Sequence, residues 1–419
     1  MDNKHEKIRY AVIFCVIFLA GSIIRLLCAD FVTGDMRGCL LPWYEELRVM
    51  DLKTALTTQV GNYNMLYQLI IYCMTKIPFE PMYLYKILSV VFDVALAFGV
   101  YAWLVEIADK KRALIGFAAT FLLPTVWLNS AAWGQCDSIY VSFIIWSLLM
   151  LYRRKYIPSF VLLGFALAFK LQAVFILPFY GCVYLSRFVS ADDHKFSFKL
   201  VRWKKNEISI LHFLIVPLVH IATALPNFIA GRPIYEVFSI YLDQADQYHR
   251  MVMNCSSFWA AAPISYEIGK YSAIALSFLI LGFMIIQFLR CGADIMGKHF
   301  LSCAFFLSYT CFLFLPAMHE RYGFIHEILI VLLVVNMKKG WKYLAAIQLI
   351  TLYAYCRYLG GYADVLKVSL PKEIFPFLTL LNLFVFFTLL SEFDQHLRGI
   401  EEGARSKWYK DMIGCFGKR

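Results

Sequence analysis

Long apolar runs, separated by short polar or basic stretches, recur from Tyr10 to Leu390. A helix needs about 20 apolar residues to cross roughly 30 Å of hydrocarbon, and on that scale the pattern predicts about twelve helical spans. The first four are Tyr10–Cys28, Met82–Val105, Ala113–Ser130 and Ser138–Tyr152. The apolar stretch from Ile157 to Phe188 is too long for one span. It is divided at Phe169-Lys170-Leu171-Gln172, where two polar side chains interrupt it. Ile208–Phe228, Ser272–Leu289, Phe300–Leu315, Tyr322–Met337, Trp341–Tyr355 and Ile374–Leu390 complete the set. The run from Asn64 to Ile77 contains Asn64, Gln68 and Lys76 and is assigned to an interfacial helix instead. The expected fold class is an all-α polytopic membrane bundle whose first external loop, residues 29–81, holds interfacial helices.

Charge gives the spans a direction. Basic residues gather at Lys4, Lys7 and Arg9, at Lys110-Lys111-Arg112, at Arg153-Arg154-Lys155, between Arg187 and Glu207, and at Lys338-Lys339. Lys and Arg favour the cytoplasmic side, so these stretches, both termini and a basic tail (residues 391–419) are placed inside. Composition agrees, with 61% of 419 residues hydrophobic and 16% charged, against about 45–50% apolar and about 25% charged in soluble domains. The net charge of +11 is accounted for by inner loops rather than by nucleic acid, which is not expected as a partner. The twelve cysteines are scattered, and several (Cys15, Cys182, Cys303, Cys311) fall inside apolar runs as small hydrophobes. No Cys-x-x-Cys or Cys/His spacing suggests zinc or a disulfide framework. With no repeat or separate soluble region visible, residues 1–419 read as one membrane domain.

This orientation sends Asp35, Asp137, Lys170 and the triplet His319-Glu320-Arg321 to the external side. Charged groups at membrane depth are costly and line a cavity or pair with one another. Asp35, in Thr33-Gly34-Asp35-Met36, reads as a solvated loop acid or as a general base in a tight turn. Asp137, in Trp133-Gly134-Gln135-Cys136-Asp137, reads as a helix N-cap or as a polar contact to a substrate. Lys170 beside Gln172 suits a snorkelling lysine or a phosphate contact. Arg321 offers a fork of donors suited to phosphate; the alternative is an interhelical ion-pair cap. Asp93, in the middle of a span, needs a partner such as Arg25 and is read as structural. His212 and His220 are read as core histidines. Asp243, Asp246 and His249 lack a further ligand, and no metal is expected there.

Five motifs in order carry a resemblance: Gly34-Asp35-Met36 with Pro42-Trp43-Tyr44; Trp133-Gly134-Gln135-x-Asp137; Phe169-Lys170-x-Gln172 with Pro178 downstream; Asn254-Cys255-Ser256-Ser257-Phe258-Trp259; and Met318-His319-Glu320-Arg321-Tyr322. From about Arg9 to Asn336 the chain resembles the multispan GT-C glycosyltransferases. It is nearest the branch similar to the mannosyltransferase that adds the second mannose of glycosylphosphatidylinositol anchors, a branch with many bacterial members.

The resemblance implies an inverting transferase that moves a hexose from a polyprenyl-phosphate carrier to a hydroxyl of an extracytoplasmic glycan or lipid-linked glycan. It implies Asp35 as the catalytic base. Asp137, Lys170, Gln172, His319, Glu320 and Arg321 follow as donor-site residues, with Trp43, Trp133 and Gln135 in support. No Gly-rich nucleotide loop or Asp-x-Asp pair appears, in keeping with a lipid-linked donor and no obligatory metal or cofactor. Compact loops suggest a bacterial cytoplasmic membrane with the site facing outward, the endoplasmic reticulum being the eukaryotic counterpart. The competing class is a transporter or lipid flippase, which tends to show internal repeats and midplane sites at broken helices.

Overall fold

In the computed structural model, residues 2–189, 207–362 and 369–398 are described. Most of the expected basic loop between Arg187 and Glu207, and the tail beyond residue 398, lie outside them. Helices follow the apolar runs because hydrocarbon offers no partners to backbone N–H and C=O groups, so each segment must satisfy its own. Among the described residues, four are long and apolar enough to cross a membrane: His5–Leu27, Pro81–Ile107, Tyr266–Arg290 and Lys372–Leu397. Lys110–Phe121 and Pro124–Ala132 form a fifth candidate, bent by 46° where Pro124 removes a donor from the ladder. The chain is a helical, multi-pass membrane protein.

Most remaining apolar helices are shorter than a full crossing, among them Asp137–Tyr152, Tyr156–Phe169, Phe300–Phe314 and Phe324–Met337. The break expected near Lys170 is present: Tyr156–Phe169 ends there, Lys170 is extended, and Leu171–Ile176 is a tight 3-10 turn. Expected span Ile208–Phe228 differs, being divided into Ile210–Phe213, Ile215–Thr223 and Leu225–Ile229. Pro217 and Pro226 explain the interruptions, since each lacks an N–H and crowds the preceding turn. The expected interfacial helix is Met65–Met74, capped by Asn64, whose side chain accepts from the Met65 amide. It is too short to cross.

Asp137–Tyr152, Phe300–Phe314 and Phe324–Met337 lie at the centre, with nearly every residue buried. The first helix, Asp2–Leu27, is peripheral and leaves Val16, Leu19 and Leu26 exposed, apolar surface suited to lipid. One buried ion pair ties it to the bundle. Arg25 donates through Nε and Nη2 to Oδ2 of Asp93 at 2.9 and 2.8 Å, and Ser130 and Ser138 donate to the same carboxylate. Arg25 is thus the partner that Asp93 required.

Between the long helices, residues 29–81 fold into Leu41–Arg48, Leu52–Thr57 and Met65–Met74. A parallel bridge joins Val252–Met253 to Met318–His319, fastening two distant loops together. Removing one member of a buried pair costs on the order of 3–5 kcal/mol because the other charge is stranded. Asp93→Asn should therefore lower the melting temperature in detergent sharply, and the double variant Arg25→Met/Asp93→Leu should recover most of the loss. Equal stability of Asp93→Asn and wild type would show that the pair contributes nothing.

Candidate active site

Asp35 is not in a loop turn. It lies in the first turn of a helix, with φ −64° and ψ −37°, where the backbone winds into a π-helical stretch, Met36–Leu40. Thr33 begins that helix, its Oγ1 accepting from the Met36 amide at 3.2 Å. The motif from Trp133 to Asp137 has a second irregularity. Leu128–Ala132 is also π-helical, and Gly134 follows at φ +75°, a left-handed conformation that costs other residues about 1–2 kcal/mol. A π turn places one extra residue in the helix and re-aims the side chains after it. Here it sends Trp133 and Gln135 toward Asp35, and Asp137 the other way.

Trp133 Nε1 and Gln135 Nε2 each donate to Oδ2 of Asp35 at 2.9 Å, while the Tyr358 hydroxyl donates to Oδ1. The amide of Gln135 is fixed by its other end, where Oε1 accepts from Tyr63 at 3.0 Å and from Arg321 Nη1 at 2.7 Å. Arg321 also reaches Asp137 Oδ2 at 3.2 Å, Glu320 Oε1 at 3.4 Å and, through Nη2, comes within 3.8 Å of Asp35. Its guanidinium lies over the Trp133 indole, 5.0 Å from the ring centre.

Asp137 is fully buried and does not cap its helix. It pairs with Lys170 through Oδ1 and accepts from Asn129 at 2.8 Å through Oδ2. Burial pushes its carboxyl up, but the Lys170 and Arg321 charges outweigh that and hold it below the usual range. Glu320 is governed by burial instead, which raises it to about 7 against the opposing charge of Arg321. His319 is pushed down to about 3 by burial and by the Arg321 and Lys170 charges. Its 4.0 Å approach to Glu320 therefore joins a neutral imidazole to an acid and is no ion pair.

A cavity of about 870 Å³ opens beside this cluster, with Asp35, Trp43, Gln135, His319, Glu320, Arg321 and Tyr358 in its wall. Trp43 is seated on Gly61, where a Cβ would come within 2.4 Å of the indole. The sequence reading is corrected at Lys170, Gln172 and Asp137, which do not line the cavity. Lys170 is consumed by Asp137, whose buried charge it balances together with Arg321. Gln172 is buried behind the wall with its Oε1 unpaired among the described residues. Trp133 is buried too and acts on Asp35 from behind. His319, being neutral, brings no charge to an anion.

The wall residues not singled out from sequence include Tyr358, Arg250 and Lys372. Tyr358 sits in an apolar helix, Trp341–Tyr362, where an aromatic reads as core. Arg250, on a loop, and Lys372, at the start of the Lys372–Leu397 span, are exposed at the cavity rim and far apart in the chain. Arg250 adjoins His249, the one signal available beforehand, although no group of three or more metal-ligating side chains forms among the described residues. No protein-family model and no curated protein matches the chain.

A carboxyl raised by burial makes the fold most stable when it is protonated, so stability is lost as pH rises from 4.5, its ordinary value, through about 7. Glu320→Gln, which cannot ionise, should remove that dependence. The melting temperature of the variant minus that of wild type should increase across this window and level off above it. A difference independent of pH would contradict the assignment.

Proposed function

We propose that the chain is a membrane-embedded glycosyltransferase of the GT-C kind, transferring a hexose from a polyprenyl-phosphate carrier to a hydroxyl of an extracytoplasmic glycan or lipid-linked glycan. The observation that carries this reading is Asp35: a carboxylate in a cavity wall, fixed at both oxygens by Trp133, Gln135 and Tyr358, with one acceptor position unfilled among the described residues. That is the equipment of a positioned general base. The order of motifs through Arg321 supports the same family, and about twelve spans, with the site outside and the termini inside, is the topology that goes with it.

The reaction balances without a cofactor. The acceptor hydroxyl gives its proton to Asp35 as its oxygen forms a bond to the anomeric carbon. The bond from that carbon to the carrier phosphate breaks, and its electron pair leaves with the phosphate. A single displacement of this type inverts the anomeric centre. Phosphate departs with growing negative charge, which nearby cations stabilise. Lys170 and Arg321 are engaged by buried acids, so this role falls to Arg250 and Lys372 at the rim.

Asp35→Asn should insert and fold normally yet lose transfer by on the order of 10²–10⁴-fold, assayed with purified protein and a polyprenyl-phosphate sugar. Full activity in that variant would falsify Asp35 as the base. Arg250→Ala combined with Lys372→Ala should raise the donor KM about tenfold or more, as expected when a charged contact is lost, and leave the acceptor KM in place. Unchanged donor KM would remove both residues from the phosphate site.

A further inference from the structure

A carboxylate has about four acceptor positions, two on each oxygen. Oδ2 of Asp35 has both filled, by Trp133 and Gln135 at 2.9 Å each. Oδ1 receives one donor, the Tyr358 hydroxyl. Arg321 Nη2, 3.8 Å from Oδ2, is beyond hydrogen-bond reach and acts on that side as charge alone. Among the described residues, one acceptor position is left, and it is on Oδ1.

Tyr358 comes from neither of the segments that supply Asp35 and Trp133; it belongs to the helix Trp341–Tyr362. Its ring lies flat on the Trp133 indole, with centroids 4.3 Å apart and planes 14° apart. Tyr355, one turn earlier, meets the same indole edge-on at 5.3 Å. The donor to Oδ1 and one of the donors to Oδ2 therefore form a single stacked unit. That unit prevents the carboxylate from rotating about its own bond.

We propose that Tyr358 is a positioning residue for the transfer reaction, its hydroxyl orienting Asp35 so that Oδ1 is the oxygen that takes the proton from the acceptor. The proposal rests on the reading of Asp35 as the base. In the step, the acceptor O–H bond breaks and its proton goes to Oδ1, the oxygen's electron pair forms the new bond to the anomeric carbon, and the bond from that carbon to the carrier phosphate breaks with its electron pair leaving on the phosphate. Tyr358 keeps its own proton throughout, donating it in hydrogen bond but not transferring it.

The charged and titratable groups facing Asp35 are Arg321, Glu320 and His319 from the 318–322 turn, together with Cys39, Tyr248 and Tyr358. Arg321 is the cation of this group. Removing the Tyr358 hydroxyl deprives the anion of a donor and leaves Arg321 in place, so Asp35 should become easier to protonate.

The test compares Tyr358→Phe with wild type in proteoliposomes from about pH 3 to about pH 9, a window that includes the ordinary carboxylate range. The variant should lose about tenfold in kcat with donor and acceptor KM little changed. The acid limb of its kcat/KM profile should move up by about one pH unit, the size expected for a hydrogen bond to a charged group. A simple packing role would lower stability without moving the limb. A second readout needs no turnover: the infrared carbonyl band of protonated Asp35, recognised by its absence in Asp35→Asn, should appear at higher pH in Tyr358→Phe. An unmoved limb with an unmoved band overturns the proposal. A shifted band in a protein that transfers no sugar would sink the glycosyltransferase reading while upholding the hold of Tyr358 on Asp35.

Discussion

One guanidinium in the cavity wall, that of Arg321, holds the site together. Arg321 meets Asp137 at 3.2 Å, Glu320 at 3.4 Å and Asp35 at 3.8 Å, and binds the Gln135 carbonyl at 2.7 Å. Taking a carboxylate out of water costs several kcal/mol unless a counter-charge and hydrogen bonds replace its hydration. Asp137, without solvent contact, needs both Arg321 and Lys170 to exist as an anion there. Three stretches of chain, around Asp35, from Trp133 to Asp137 and from His319 to Tyr322, are consequently tied through one side chain. The parallel bridge between Val252–Met253 and Met318–His319 brings the loop of Arg250 to the same place.

Backbone irregularity does the aiming. Both the Asp35 segment and the Trp133 segment are π-helical where they approach the cavity. In an ordinary α-helix, successive residues advance by a fixed angle, and Trp133, Gln135 and Asp137 could not all serve a common cluster from two sides. The extra residue of the π turn and the left-handed Gly134 change that angle. Two functions are thereby separated on one short motif: Trp133 and Gln135 orient the half-buried Asp35, while Asp137 anchors Lys170 and Arg321.

Much of this was legible in the sequence, for identifiable reasons. The direction expected from the basic loops put Asp35, Asp137, Lys170 and Arg321 on one side, and the structure brings these four side chains together. The need for a partner to mid-span Asp93 pointed to Arg25, which the structure supplies. Roles were harder to read. A lysine at a helix break can face a cavity or a buried acid with equal ease, and only the position of Asp137 decides. Span lengths also escaped the pattern, because hydropathy does not register how Pro217 and Pro226 divide a helix. Tyr358 was invisible for the opposite reason: in an apolar run, an aromatic carries no signal that its hydroxyl is in use.

The roles now divide along physical lines. In the proposed reaction, Lys170 and Asp137 serve each other, Arg250 and Lys372 at the rim meet the donor phosphate, and Asp35 stands between them. The most direct measurement is the anomeric configuration of the product formed by purified protein from a polyprenyl-phosphate hexose of defined anomer. The account predicts transfer with inversion, as a single displacement assisted by one carboxylate requires. Transfer with retention would contradict it, because retention calls for a covalent intermediate that Asp35, acting as a base, does not form.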